Sequence, residues 1–292
     1  PPCIGIPEVT SLEKPVCCRL PLVLTLLSSS FPPLLYAEDW PQFGRNQSRN
    51  AVSPEKNPPL WWQLEERDFP DRNNSFKTNQ NIRWTTNLAD AGGYGQIYGD
   101  PVVVDGLIWV GSNYSYYDML ENLSLDTAFT CLDEKTGKVL YRHVVSPIPS
   151  RSEAGRYHGH SSSPYIEGDR LWVVTNCCEV LCLDIDRLKQ RTGSAKELWK
   201  VNLREAFGVR LRASRHLNRR CSIAGYKDWL YITTGNGEYW EGDREKRLLA
   251  DQAPSLVCLN KVSGKVVWQD HSPGKDILFG QFASPTVIEV DG

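Results

Sequence analysis

Short apolar runs broken by polar or glycine turns recur along the chain at a fixed spacing. Asp100-Pro-Val-Val-Val-Asp-Gly-Leu-Ile-Trp-Val-Gly111 is the first such segment, and Ser163-Pro-Tyr-Ile-Glu-Gly-Asp-Arg-Leu-Trp-Val-Val-Thr175 is the second. Ser222-Ile-Ala-Gly-Tyr-Lys-Asp-Trp-Leu-Tyr-Ile-Thr-Thr234 is the third, and Ser284-Pro-Thr-Val-Ile-Glu-Val-Asp-Gly292 opens a fourth. Each complete segment reads as strand, tight turn, aromatic-rich strand, which predicts a β-hairpin. Pro101, Pro164 and Pro285 head three of them, about one unit and then about two units apart, so the repeat is roughly sixty residues long.

A second pattern follows each hairpin. Thr130-Cys-Leu-Asp-Glu-Lys-Thr-Gly-Lys-Val-Leu-Tyr141 matches Val257-Cys-Leu-Asn-Lys-Val-Ser-Gly-Lys-Val-Val-Trp268. Leu181-Cys-Leu-Asp184 and Thr192-Gly193 to Trp199 form the same unit with an insertion, and Asn81-Ile-Arg-Trp84 reads as the last strand of an earlier one. Asp133 or Asn260 can accept hydrogen bonds from the turn backbone. Gly137 and Gly264 supply the positive φ of a tight turn. Trp84, Tyr141, Trp199 and Trp268 then stand at one place in the outer strand, where a flat ring can pack between neighbouring sheets. Four short antiparallel strands per unit, repeated radially, predict an all-β propeller. A flat sandwich does not require an aromatic at the same place in every unit.

The organisation read from the sequence is a leader at 1–37, an extended segment at 38–80, and a propeller region at 81–292 with units near 81–88, 98–145, 161–202, 221–271 and 282–292. Lys14 and Arg19, the apolar run Leu20-Pro-Leu-Val-Leu-Thr-Leu-Leu27 and the small residue Ala37 are the parts of an export signal. That run is too short to span a bilayer. The expectation is therefore an exported protein, periplasmic or extracellular, without a stable membrane span. The opening at Pro1 and the stop at Gly292 inside a unit read as the N-terminal part of a longer product. A formal net charge of −2 gives no electrostatic reason to expect nucleic acid as partner.

The Asp-x-x-Thr-Gly-x-x-x-aromatic pattern resembles the tryptophan-docking motif of propellers built from pyrroloquinoline-quinone (PQQ) type repeats. That superfamily includes quinoprotein alcohol dehydrogenases and the BamB-type outer-membrane assembly factor. Asp39-Trp-Pro-Gln-Phe-Gly-Arg-Asn46 resembles the opening of secreted bacterial PQQ-binding-like propellers, and Cys178-Glu-Val-Leu-Cys-Leu-Asp184 and Ser272-Pro-Gly-Lys-Asp-Ile-Leu-Phe-Gly-Gln281 fit the same family. The resemblance implies seven or eight blades, the 81–88 strand completing the last one. For a dehydrogenase it also implies PQQ with Ca²⁺ on the ring axis and a vicinal disulfide against the quinone, for which Cys177 and Cys178 stand as the cofactor-binding candidates. The competing reading of that pair is a turn thiol beside a buried one, since neighbouring strand side chains face opposite ways. The family's metal ligands and its Asp base have no matching local motif in this chain.

Cys131, Cys182 and Cys258 occupy one repeat position, which points to core packing rather than a metal cluster. Cys221 carries no signal. His158-Gly-His160 reads as a solvated polar loop, with a two-histidine metal site as the rival. Arg210-Leu-Arg-Ala-Ser-Arg215 and Arg219-Arg220 also read as solvated. The long insertions at 112–126, 146–161, 202–220 and 235–252 are where partners would dock. Tyr114, Tyr117, Tyr239 and Trp240 lie on them and suit stacking of a sugar or peptide. The reading is a binding or assembly scaffold whose partner, a protein or a glycan, meets a propeller face. The alternatives are a PQQ-dependent alcohol or sugar dehydrogenase and an extracellular polysaccharide-binding module.

Overall fold

The computed structural model describes residues 38–61, 81–88, 97, 99–113, 126–146, 160, 162–209, 221–235, 238–241, 245–248, 250, 252–277 and 283–290. The expected leader therefore lies outside the described residues. Three four-stranded antiparallel sheets carry the fold. The first is β1 (Val102–Val104), β2 (Leu107–Asn113), β3 (Thr127–Asp133) and β4 (Val139–Val145), in chain order. The second is β5 (Tyr165–Glu167), β6 (Arg170–Val174), β7 (Glu179–Asp184) and β8 (Lys196–Asn202), with helix α1 (Asp186–Lys189) between the last two. Helix α2 (Leu203–Phe207) follows β8. The third sheet is β9 (Ala224–Tyr226), β10 (Trp229–Thr233), β13 (Leu256–Asn260) and β14 (Val266–Asp270). A separate hairpin, β11 (Glu238–Glu241) and β12 (Glu245–Leu248), interrupts it. Among the described residues no helix is long and apolar enough to cross a membrane.

The same cross-strand row recurs in every sheet. Val102, Trp109, Cys131 and Tyr141 stand opposite one another in the first. Tyr165, Trp172, Cys182 and Trp199 do so in the second, and Ala224, Tyr231, Cys258 and Trp268 in the third. A small thiol between two large rings lets both rings lie over it. The register slips directly after each of these cysteines, so each outer pair carries one bulge at the same place.

The apolar cores lie between sheets. One joins Trp172, Val180 and Cys182 of the second sheet to Leu230, Ile232 and Val257 of the third. Another joins Trp109 and Phe129 of the first to Ile166, Leu171 and Leu181 of the second. Burying each such large side chain is worth roughly 1.5–3 kcal/mol. Between sheets two and three, Trp199 donates its indole N–H to the Lys261 carbonyl at 3.3 Å and covers Gly264. Ahead of sheet one, Trp84 donates to the Glu134 carbonyl at 2.8 Å and covers Gly137. Each glycine closes a turn held by Asp133 or Asn260, whose Oδ1 accepts the backbone N–H of Thr136 or Ser263 at 2.9 Å. The described residues build three blades of a β-propeller.

The seam between sheets one and two is made differently. Tyr141 packs edge-on to Trp109 of its own sheet, with ring centroids 6.1 Å apart. The glycine of the following turn, Gly193, faces the Arg187 guanidinium instead. Helix α1 fills that turn and substitutes ion pairs for the docked ring. Lys189 reaches Asp105 at 2.8 Å, and Arg191 reaches Asp133 at 3.3 Å. Trp268 lies against Tyr231 and remains 41% exposed. Residues 81–88 and 283–290 carry no strand ladder.

Candidate functional site

The C-terminal ends of β2, β4, β6, β8 and β10 form one edge of the sheets, and every long connection leaves from it. At that edge lies a buried polar cluster. Backbone N–H of Asn176 donates to His160 Nδ1 at 3.3 Å. That assigns the imidazole proton to Nε2, which donates to Thr127 Oγ1 at 3.0 Å. The Thr127 hydroxyl in turn donates to Asn176 Oδ1 at 3.0 Å. One proton arrangement satisfies all three links. Burial first, and the neighbouring His143 second, hold the His160 pKa well below the ordinary histidine value. The ring stacks on Phe129 with centroids 3.8 Å apart, in space that Gly111 leaves open. His160 is therefore a buried, neutral strut and not the solvated loop residue expected from its sequence neighbourhood. Its companion His158 lies outside the described residues, as do Tyr114, Tyr117 and the arginines between 210 and 220. Tyr239 and Trp240 lie on β11.

Cys177 and Cys178 occupy the hairpin turn from β6 to β7, with Cys178 at φ 65°. Their thiols diverge. Cys177 donates to the Ser146 carbonyl of sheet one at 3.3 Å, and Cys178 faces the Thr234 carbonyl of sheet three at 4.0 Å. The two thiols thus reach towards the sheets on either side. Cys131, Cys182 and Cys258 are buried free thiols whose pKa is pushed up by burial, to about 12 for the first two and about 11 for the third. Among the described residues no group of three His, Cys, Asp or Glu side chains is placed to hold a metal ion.

Beside the Cys177 turn, a cleft of about 520 Å³ opens between β4 and the β7–β8 pair. His143 and Ser146 form one wall, and Cys177, Glu179, Lys200 and Arg204 the other. Glu179 and Lys200 face each other at 3.6 Å. Both charge signs are present, so the cleft suits a polar ligand rather than an apolar one.

The sequence reading missed the inner edge of the sheets. There Trp40 exchanges two backbone hydrogen bonds with Val103, at 2.7 and 3.0 Å. The carbonyls of Pro41 and Gln47 accept the N–H of Ile166 at 2.8 Å and of Val287 at 2.9 Å. Val103, Ile166 and Val287 each stand two residues after the proline that heads their repeat. A serine ladder runs beside them: Ser163 N–H donates to Ser222 Oγ, and Ser222 N–H to Ser284 Oγ, each at 2.9 Å. The signal was present, since Ser163, Ser222 and Ser284 each head a hairpin.

No protein-family model matches the chain, and no curated protein matches it in sequence. Among solved structures it is similar to the quinohemoprotein alcohol dehydrogenase from Comamonas testosteroni, at 14% identity and a TM-score of 0.44, over 79% of this chain and 27% of that one. It is also similar to a europium-containing methanol dehydrogenase, at 12% identity and a TM-score of 0.41, over 79% of this chain and 31% of that one. BamB from Moraxella catarrhalis is a third, at 17% identity and a TM-score of 0.33, over 59% of this chain and 36% of that one. The matched region thus spans well under half the length of each of these structures.

Proposed function

We propose that this protein is an exported binding or assembly scaffold that meets its partner, a protein or a glycan, through the edge carrying the long connections. One observation carries the reading. The four long insertions leave from a single edge, and the described residues at that edge are locked in place by the closed His160–Thr127–Asn176 ring of hydrogen bonds. Variable loops on a rigid base are how binding surfaces are built. Export rests on the basic, apolar and small-residue pattern of residues 1–37.

A PQQ-dependent dehydrogenase is the second reading, favoured by the vicinal cysteines at that same edge. The divergence of their two thiols towards different sheets does not fit a disulfide laid flat against a quinone. Polysaccharide binding is the glycan form of the first reading.

The test adds PQQ and Ca²⁺ to the protein and follows dye-linked oxidation of alcohols and sugars, with a glycan and peptide array in parallel. The scaffold reading expects no turnover, and array binding that disappears when residues 114–125 are replaced by a short Gly-Ser link. PQQ-dependent turnover would defeat it.

A further inference from the structure

The contacts of residues 40–49 follow the repeat. Three repeats offer the same N–H at their inner edge, at Val103, Ile166 and Val287, and a carbonyl of this one segment meets each of them. The third repeat has Gly225 at that position, and there the segment uses a side chain instead. Arg49 Nη2 donates to the carbonyls of Ser222 at 3.3 Å and Ile223 at 3.1 Å, at the head of β9. Its Nε donates to the Pro285 carbonyl at 3.0 Å, in the next repeat. Its Nη1 turns back to Gln42 Oε1 and the Phe43 carbonyl of the segment itself.

A guanidinium has five N–H donors. All five of these meet carbonyl or amide oxygens, and none of those acceptors is a carboxylate. Partial burial lowers the Arg49 pKa to about 10, because desolvation disfavours the cation. The segment is itself tightly wound, with Arg45 and Arg49 at φ 71° and 58°, and Asn46 Oδ1 accepting from Ser48 and Asn50. Ser222 and Ile223 lie just ahead of β9, so Arg49 lies at the end of the sheets from which the long connections leave.

We infer that residues 40–49 form a strap, keyed by Arg49, that binds four repeats together along their inner edges. The half-buried guanidinium that keys it has no N–H left to offer an anionic cofactor. The inference stands on the strap's own hydrogen bonds and holds whichever partner the outer loops recognise.

Hydrogen–deuterium exchange on the intact protein tests it, read on peptides covering Val103, Ile166, Ser222–Ile223 and Val287. Arg49→Lys keeps the charge but loses the fork, and Arg49→Gln removes both. Both variants should speed exchange in the Ser222–Ile223 and Val287 peptides by about tenfold or more, as the loss of charge-assisted bonds implies, while β6 and β7 stay protected. PQQ with excess Ca²⁺ should give no saturable tryptophan quenching of the wild-type protein. The inference is overturned if the inner-edge peptides exchange equally in wild type and both variants, or if wild type binds PQQ one-to-one with those peptides still protected. The exchange result is independent of turnover, so failure of the strap is distinguishable from failure of the scaffold reading.

Discussion

Trp199 rests its indole on Gly264, so closely that a Cβ added there would stand 2.7 Å from the ring. The glycine also has φ 68°, where side chains are strained. Gly264→Ala therefore meets two costs, overpacking of about 1–3 kcal/mol and a backbone term of about 1 kcal/mol. Gly168→Ala is the control, with φ 55° and open space around it, so only the backbone term applies. Urea unfolding should show a clearly larger drop in midpoint for Gly264→Ala. Equal drops would mean that the docked ring contributes nothing.

Trp172 and Trp109 hold the same place in adjacent blades and differ in one bond. Trp172 donates its indole N–H to the Lys261 carbonyl at 3.1 Å, whereas the Trp109 N–H has no acceptor among the described residues. The residue equivalent to Lys261 in the second blade is Ile185, and its carbonyl already takes the N–H of Leu188 and Lys189 as α1 begins. Both Trp→Phe changes lose packing volume. Trp172→Phe should cost about 1 kcal/mol more, because it also loses a satisfied hydrogen bond. Denaturant unfolding of the two variants side by side checks the difference.

His160 gives the fold an acid limit. The unfolded chain takes up a proton at that histidine near pH 6.5, and the folded chain does so only at much lower pH. Its contribution is therefore complete above about pH 6.5 and is lost as the pH falls below it, at no more than about 1.4 kcal/mol per pH unit for one proton. His143, whose pKa is also lowered by burial, acts in the same direction. His160→Gln should be less stable at neutral pH and show a flatter decline between pH 6.5 and 5. An unchanged slope would remove His160 as the cause.

How much of this could be read from the chain alone depended on distance along it. The Asp133 to Gly137 and Asn260 to Gly264 turns are local, so their spacing announced them. The docked rings at Trp84 and Trp199 follow from the same repeat. Tyr141 shares that register, but α1 displaces the turn it would have covered, and no local pattern reveals that. His160 sits in a Gly-His-Ser-Ser-Ser run that looks like any solvated loop. Its burial comes from Gly111 and Phe129 on another strand. Arg49 was invisible because its Pro285 acceptor is 236 residues away.

That separation also orders events in folding. Each blade can close on its own local hairpins, while residues 40–49 complete their contacts only once residues 285–287 are in place. The segment is thus a late partner of sheets already formed, and its docking marks the point at which they become one body.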